Sequence, residues 1–300
     1  MPGQLVGLVR TLRLRQWPKN GFVFVPLLFD KKLFDSHYLI ATLAGFALLC
    51  LASSAVYLIN DLVDVESDRA HPSKRHRPLA SGQLSNPVAI AAVVVIAGAI
   101  LPLALLIKPG FALILVAYLA MQIAYSFKLK HVVLIDVMVV AGGFLLRVAA
   151  GVVLVDVVRF SPWLYVFTTM LALFMAFGKR RQEIALLEGN AINHRAILGQ
   201  YNIALLDEMI VIVTATTVLT YSLYTFSAEG LPSNHTMMLT IPFVLYGIFR
   251  YLYLIHVRGE GGAPEEVALR DLPIQITVIG WGVSVVLVLY WPQLNLLLPK

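Results

Sequence analysis

The chain consists of long apolar runs separated by short polar or turn-forming stretches. The runs occupy roughly 20–34, 37–59, 86–107, 111–127, 132–154, 162–178, 204–226, 237–255 and 274–296. A bilayer-spanning helix needs about 20 apolar residues, so the pattern predicts an all-α polytopic membrane protein with about nine transmembrane helices. The first run is short and interrupted by Pro26, which predicts a tilted or partly interfacial element. Lys108-Pro109-Gly110 and Ser161-Pro162 read as turns between neighbouring spans. No stretch has the composition of a soluble domain, so residues 1–300 are expected to form a single transmembrane domain.

Ahead of the first run, Leu5, Leu8, Val9 and Leu12 recur at helical spacing opposite Arg10, Arg13 and Arg15, with Lys19 following. This is the pattern of a basic amphipathic segment over 1–19 lying in the membrane interface. A solvated charged tail is the alternative. No small-residue cleavage site follows, so the segment is read as retained rather than as a signal sequence.

Composition sharpens the class. Hydrophobic residues make up 59% of the chain and charged ones 13%, against about 25% charged in soluble domains. A water-soluble enzyme and a disordered chain are excluded. The single cysteine, Cys50, sits in an apolar run, which rules out an intrachain disulfide and thiolate metal clusters. Basic residues concentrate in alternate connections: Arg69, Lys74, Arg75 and Arg77, then Lys128 and Lys130, then Lys179, Arg180 and Arg181, then Arg258 and Arg270. The opposite connections carry only Lys31, Lys32, Lys108, Arg159 and Lys300. Short basic loops stay cytoplasmic, so the N-terminus and the long connections 60–85, 179–203 and 256–273 are placed inside. The net charge of +6 thus lies where an anionic cytosolic substrate arrives, although orientation alone would produce the same bias. Nothing points to nucleic acid.

The most informative run is Asn60-Asp61-Leu62-Val63-Asp64-Val65-Glu66-Ser67-Asp68. Asp61, Asp64 and Asp68 are spaced i, i+3, i+7, so on a continuous helix the carboxylates share a face. Unpaired, they repel one another and favour a divalent cation, and oxygen-only ligands select Mg²⁺ or Mn²⁺. Acids at a helix C-terminus also oppose its dipole, which argues against a purely structural role. Lys74, Arg75 and Arg77 follow directly, in His71-Pro72-Ser73-Lys74-Arg75-His76-Arg77-Pro78-Leu79-Ala80-Ser81-Gly82. Acids beside Arg and Lys suit an Mg²⁺-bound diphosphate, the metal bridging acid to phosphate and the bases holding the remaining oxygens. His71 and His76 read as phosphate donors or bystanders.

These motifs resemble the UbiA superfamily of intramembrane prenyltransferases, with matching features from about Arg13 to Asp271. The resemblance implies about nine helices around a central cavity, a magnesium diphosphate at its cytoplasmic rim and a lipid chain in the membrane. It also implies that Asp61, Asp64 and Asp68 form the first metal motif, with Asn60 beside them as a substrate-binding residue and Tyr125 and Lys130 as the pair after the fourth helix. Where a second acidic motif should follow the sixth helix, the chain reads Gly178-Lys179-Arg180-Arg181-Gln182-Glu183. That run, with Arg13-Leu14-Arg15-Gln16-Trp17-Pro18-Lys19-Asn20 and Ala268-Leu269-Arg270-Asp271, is similar to the decaprenyl-phosphate phosphoribosyltransferase branch.

The branch resemblance implies a donor, 5-phosphoribosyl 1-diphosphate, whose second phosphate calls for bases in place of acids. It implies a polyprenyl phosphate acceptor in a bacterial plasma membrane. Lys179 and Arg180 become candidates for the sugar phosphate, and Glu183 for a ribose hydroxyl or for pairing with Lys179. Trp17, Lys19 and Asn20 are candidates for the lipid headgroup, although Trp17 alone is ordinarily an interfacial anchor, and Gln16 is a further substrate-binding candidate. Arg147 and Asp136 lie in one span about 16 Å apart, too far to pair directly. Arg147 either faces a lipid phosphate or makes a structural interhelix pair. Gly143 and Gly151 read as close-packing positions. Two rivals are a prenyl diphosphate-dependent relative with an aromatic or glycerol-phosphate acceptor, and a transporter. Homo-oligomerisation is left open.

Overall fold

The computed structural model describes residues 2–71, 74–187, 196–260, 262 and 264–295, and among these the secondary structure is helical, with no strand. The helices are α1 (Pro2–Thr11), α2 (Val25–Phe29), α3 (Ser36–Val63), α4 (Val65–Ala70), α5 (Asn86–Ile107) and α6 (Pro109–Phe127). They continue with α7 (Ile135–Leu154), α8 (Pro162–Leu187), α9 (Ile203–Ser227), α10 (Ile241–Tyr253), α11 (Pro264–Arg270) and α12 (Leu272–Asn295). Eight helical segments among the described residues are long and apolar enough to cross a membrane, making this a multi-pass membrane protein.

The ninth expected span, 20–34, takes a different form. Arg13 adopts a left-handed conformation, φ 51° and ψ 54°, and a 3-10 stretch runs over Leu14–Phe24 before the five-residue α2. Pro18 lies inside the 3-10 segment and lacks an N–H, so it cannot donate to an α-helical ladder there. The chain turns at Lys31, φ 58°, and Asp35 then caps α3 by accepting from His37 N at 2.9 Å.

Two further expectations shift. α8 runs past 178 to Leu187, so Lys179, Arg180 and Glu183 project from a helix rather than from a loop. Lys, Arg, Gln, Glu, Ala and Leu are all strong helix formers, and no Gly or Pro interrupts them before Gly189. Of the rest of that expected loop, 188–195 lies outside the described residues and Ala196–Gln200 forms a 3-10 turn. Within the expected loop 256–273, α11 forms after a π-helical turn at Leu254–Arg258.

The chain divides into two compact units. The first comprises Met1–Leu27, Lys32–Val139 and Leu146–Val157, and the second Leu28–Lys31, Val140–Leu145 and Val158–Lys300. In the first unit α3, α5 and α6 pack on one another around Leu48, Leu49, Ala52, Ile100, Phe111 and Leu115. Gly151 permits a close approach: a Cβ there would overlap the Val23 carbonyl oxygen and the Pro26 ring. A smaller core of Leu58, Leu79, Leu84 and Ala89 receives Leu8 and Leu12 of the N-terminal segment, while Leu5 and Val9 remain exposed. The amphipathic segment is therefore anchored by one apolar stripe and offers a second outward.

The ends of this unit are chemically distinct. At the start of α3, Lys108 pairs with Asp156 at 2.5 Å and Lys32 donates to the Val155 carbonyl at 2.8 Å. About 40 Å away, at 1.5 Å rise per residue, the C-terminal end of α3 carries the acids. In the second unit α8 packs along α9, and α10 along α12. Tyr221 joins three of its elements, sharing a 2.7 Å hydrogen bond with Thr240 and accepting from Trp281 Nε1 at 2.7 Å.

Candidate active site

The last two turns of α3 carry Tyr57, Asn60 and Asp61, and the helix breaks at its cap residue Asp64, φ −93° and ψ 5°. The break replaces the single continuous face expected from the spacing. α4 then restarts and carries Asp68, so the acids are brought together by two helices. Asp61 is buried, with its side chain only 2% exposed, and accepts from Arg13 Nη2 at 2.6 Å and Arg77 Nη1 at 3.1 Å. The same Arg77 nitrogen donates to Asp68 at 2.7 Å, bridging the two carboxylates. Asp64 takes Lys130 Nζ at 2.6 Å on one oxygen and Asn60 Nδ2 at 3.2 Å on the other.

The motif after α4 explains how Arg77 is aimed. Leu79 is buried in the small core, Ser81 N donates to the Arg77 carbonyl at 2.9 Å, and Gly82 closes the turn at φ 80°, a conformation that favours glycine. Arg69 Nε is committed to the Ala80 carbonyl at 3.2 Å, so it braces the turn. Lys74 is half-buried with its backbone N–H on His71 Nδ1, whereas Arg75 is exposed and directed at His76. Arg77 is thereby set on two of the aspartates, Asp61 and Asp68.

Two residues that sequence reasoning left out of the site belong to it. Arg13 reaches Asp61 from its left-handed backbone and lies 4.7 Å over the Tyr57 ring. A non-glycine residue in that region costs about 1–3 kcal/mol, which the surrounding contacts must offset. Tyr57, one turn before Asp61, donates to Gln16 Oε1 at 3.0 Å and accepts from Lys19, whose Nζ also meets Gln16 at 3.3 Å. Gln16 and Lys19 thus lie together on Tyr57 near the acidic end of α3. The available signals were the i, i+4 relation of Tyr57 to Asp61 and the position of Arg13 at the head of the quoted basic motif.

Asn20 departs from its expected headgroup role. It is fully buried and accepts from Arg147 Nε at 2.7 Å and Ser53 Oγ at 3.1 Å, while donating to Cys50 Sγ at 3.2 Å. Its amide is used internally because the 3-10 segment turns it into the bundle. Arg147 also donates to the Tyr118 hydroxyl at 3.1 Å, so the interhelix role is the one observed. Tyr125 lies half-buried in the last turn of α6, ahead of the buried Lys130.

The basic run of the second unit has its own geometry. Arg180 is buried and pairs with Glu183 at 2.5 Å, so Glu183 meets Arg180 rather than Lys179. The two are i, i+3 neighbours on the helix surface. Arg181 pairs with Asp207 at 2.5 Å. Lys179 is half-buried and engages no acid or acceptor among the described residues. Asp271 accepts from Arg250 at 2.8 Å and from Ile274 N at 3.0 Å. The Arg250 hydrogen bond holds the Asp271 carboxyl below the usual carboxylate range.

Among the described residues no three His, Cys, Asp or Glu groups form a ready metal cage. Mg²⁺ does not require one, since it is ordinarily held by one or two carboxylates together with waters and substrate phosphates. Asp61, Asp64 and Asp68 are oxygen-only donors, and each already has a cation at contact distance. The donor set therefore fits a metal that enters with a diphosphate, whose oxygens would take over Arg13, Arg77 and Lys130.

Residues 22–265 match the UbiA prenyltransferase family. The chain is 36% identical over 289 residues to the decaprenyl-phosphate phosphoribosyltransferase of Mycobacterium tuberculosis, covering 95% of each chain. It is 35% identical over 293 residues to the enzyme of that name from Corynebacterium glutamicum, covering 95% of this chain and 87% of the relative. A solved UbiA homologue from Archaeoglobus fulgidus, bound to DMAPP and Mg²⁺, shares the fold with a TM-score of 0.72 at 17% identity, over 94% of this chain and 98% of that one. From its helix order, its paired aspartate and arginine motifs and these matches, the chain belongs to the UbiA prenyltransferase family.

Proposed function

We propose that this protein transfers the 5-phosphoribosyl group of 5-phosphoribosyl 1-diphosphate to a polyprenyl phosphate, releasing pyrophosphate, at the cytoplasmic side of a bacterial plasma membrane. The observation that carries the reading is Lys179, a half-buried ammonium without an acidic partner among the described residues, heading the run Lys179-Arg180-Arg181. A second metal site would need acids at that position. A donor bearing an extra phosphate needs cations. Similarity over 95% of the chain to relatives named decaprenyl-phosphate phosphoribosyltransferase supports the same donor and acceptor.

Asp61, Asp64 and Asp68 would hold the metal, Mg²⁺ by ligand chemistry with Mn²⁺ as the alternative. When bound, such an ion neutralises charge on the leaving diphosphate. Arg13, Arg77 and Lys130 are placed to turn from carboxylate to phosphate oxygens as the donor enters. Lys74, Arg75, Lys179 and Arg180 are further candidates for donor oxygens. The acceptor needs no general base, because a phosphate monoester has a second pKa of about 6 and is largely ionised at neutral pH. Its oxygen attacks C1 of the ribose: the new O–C1 bond forms as the bond to the diphosphate oxygen breaks, and that electron pair leaves on pyrophosphate. In-line attack inverts C1. The chain's contribution is orientation and electrostatic stabilisation of the departing group.

The test is incubation of the purified protein in lipid nanodiscs with radiolabelled phosphoribosyl diphosphate, Mg²⁺ and polyprenyl phosphate, followed by organic extraction. Label in the organic phase with release of pyrophosphate is the expected result. Label confined to water, with a prenyl diphosphate consumed instead, would replace this reading with prenyl transfer to an aromatic or glycerol-phosphate acceptor. A transporter would release no pyrophosphate.

A further inference from the structure

The second unit contains a cleft of about 290 Å³ that the mechanism above does not use, lined by Gln182, Leu186, Glu260, Val267, Arg270 and Asp271. We propose that this cleft is a subsite for a ribosyl phosphate, with Gln182 and Glu260 receiving sugar hydroxyls and Arg270 attracting the phosphate. The inference rests on the donor assigned above and extends it to residues beyond the aspartates, Lys179 and Arg180.

Gln182 is the central observation. It is 3% exposed, and its Nε2 donates to the Gly259 carbonyl, which fixes the amide orientation because a carbonyl can only accept. The opposite atom, Oε1, is buried with no hydrogen-bond partner among the described residues. A buried acceptor left unsatisfied in a native fold calls for an explanation, and a ligand that brings a donor is one. The roof is built to approach Gln182 closely: Gly259 takes a left-handed conformation, φ 67°, Glu260 N donates to the Leu254 carbonyl at 2.9 Å, and a Cβ on Gly262 would lie 3.5 Å from Gln182 Cγ.

The lining selects the ligand class. Gln182 Oε1 lacks a donor, the exposed Glu260 carboxylate can only accept, and hydroxyl groups supply donors to both. Arg270 adds positive charge, and Asp271 is already committed to Arg250. A hydroxylated anion suits both the acceptors and the positive charge. Pyrophosphate supplies charge but few donors and meets the Glu260 carboxylate unfavourably. A polyprenyl chain has no use for this lining, and the volume lies at the small end for ligand sites. A sugar phosphate is the class that remains.

The experiment uses the full chain in nanodiscs with ribose 5-phosphate and, separately, pyrophosphate as calorimetric probes. Gln182→Leu and, at an exposed position that tolerates change, Glu260→Gln should each weaken ribose 5-phosphate about tenfold while leaving pyrophosphate affinity unchanged. In turnover, KM for phosphoribosyl diphosphate should rise by a similar factor and KM for the lipid should stay fixed. Failure of the wild-type protein to bind ribose 5-phosphate, or equal binding by the wild type and both variants, would overturn the subsite, as would a parallel loss of pyrophosphate. The two readings separate cleanly. Organic-phase label with donor KM unmoved by both substitutions removes the subsite and keeps the reaction. Gln182-dependent ribose 5-phosphate binding without any transfer of label removes the reaction and keeps the subsite.

Discussion

Replacing Asp61 with asparagine separates the structural work of the acidic end from its chemistry. Asn is nearly isosteric and keeps one acceptor, so the change removes charge rather than volume. In the folded protein that charge meets Arg13 at 2.6 Å and Arg77 at 3.1 Å, with the Asp61 side chain 2% exposed and both arginines 26% exposed. Breaking a fully buried ion pair by removing one partner costs about 3–5 kcal/mol. Here water reaches both guanidiniums, and Arg77 retains Asp68 at 2.7 Å, which reduces the expected loss to about 1–3 kcal/mol. The fold should therefore survive with a lowered Tm. Catalysis should suffer more, because a group that stabilises charge developing on the leaving diphosphate is worth about 10²–10³ in kcat. The assay pairs thermal unfolding in detergent with pyrophosphate release over a magnesium titration. A folded Asp61→Asn protein with kcat/KM within twofold of wild type at every magnesium concentration would refute the assignment of the acids to the metal diphosphate. Repeating the substitution in an Arg13→Ala background gives the coupling energy of the pair, which should be large for stability only if the ion pair is structural.

Lys179→Ala should raise KM for the phosphoribosyl donor about tenfold, the loss of one charge-assisted hydrogen bond, with no change in melting, because the ammonium has no partner to abandon among the described residues; unaltered KM and kcat would clear this lysine of a substrate role. Gly151→Ala should destabilise the first unit by about 1–3 kcal/mol, since its Cβ collides with the Val23 carbonyl and Pro26, and an unshifted Tm would show that the 3-10 segment yields freely. The Arg250–Asp271 pair should make stability pH-dependent on the acid side. The folded Asp271 carboxyl sits below its ordinary value, so the contribution is present above the usual carboxylate range and fades as pH falls through the depressed one. Asp271→Asn should flatten that limb of the Tm–pH curve, and an unchanged limb would discount the pair.

Much of this architecture was legible along the chain because bilayer insertion is a local criterion. An apolar run of sufficient length must be a helix, since nothing else satisfies its backbone in lipid. Eight spans, the alternation of basic connections and the motif Asn60 to Asp68 follow from that constraint and from residue type alone. The exception at 20–34 is informative: the apolar content was right, but Pro18, Pro26 and a left-handed Arg13 converted the helix into a 3-10 segment that lies against Gly151. Periodicity carried no signal for that packing.

Pairing was decided in three dimensions. Spacing suggested three free carboxylates on one continuous face, yet the helix breaks at Asp64, and the acids are held by Arg13, Arg77 and Lys130 from distant parts of the chain. Glu183 chose Arg180 over Lys179, and Asn20 turned inward to Arg147 rather than outward to a lipid. Residue type and order along the chain suffice to say what is greasy, what is charged and which motifs sit side by side. Which charge meets which depends on distances between segments far apart in sequence, and only the packed helices set those distances.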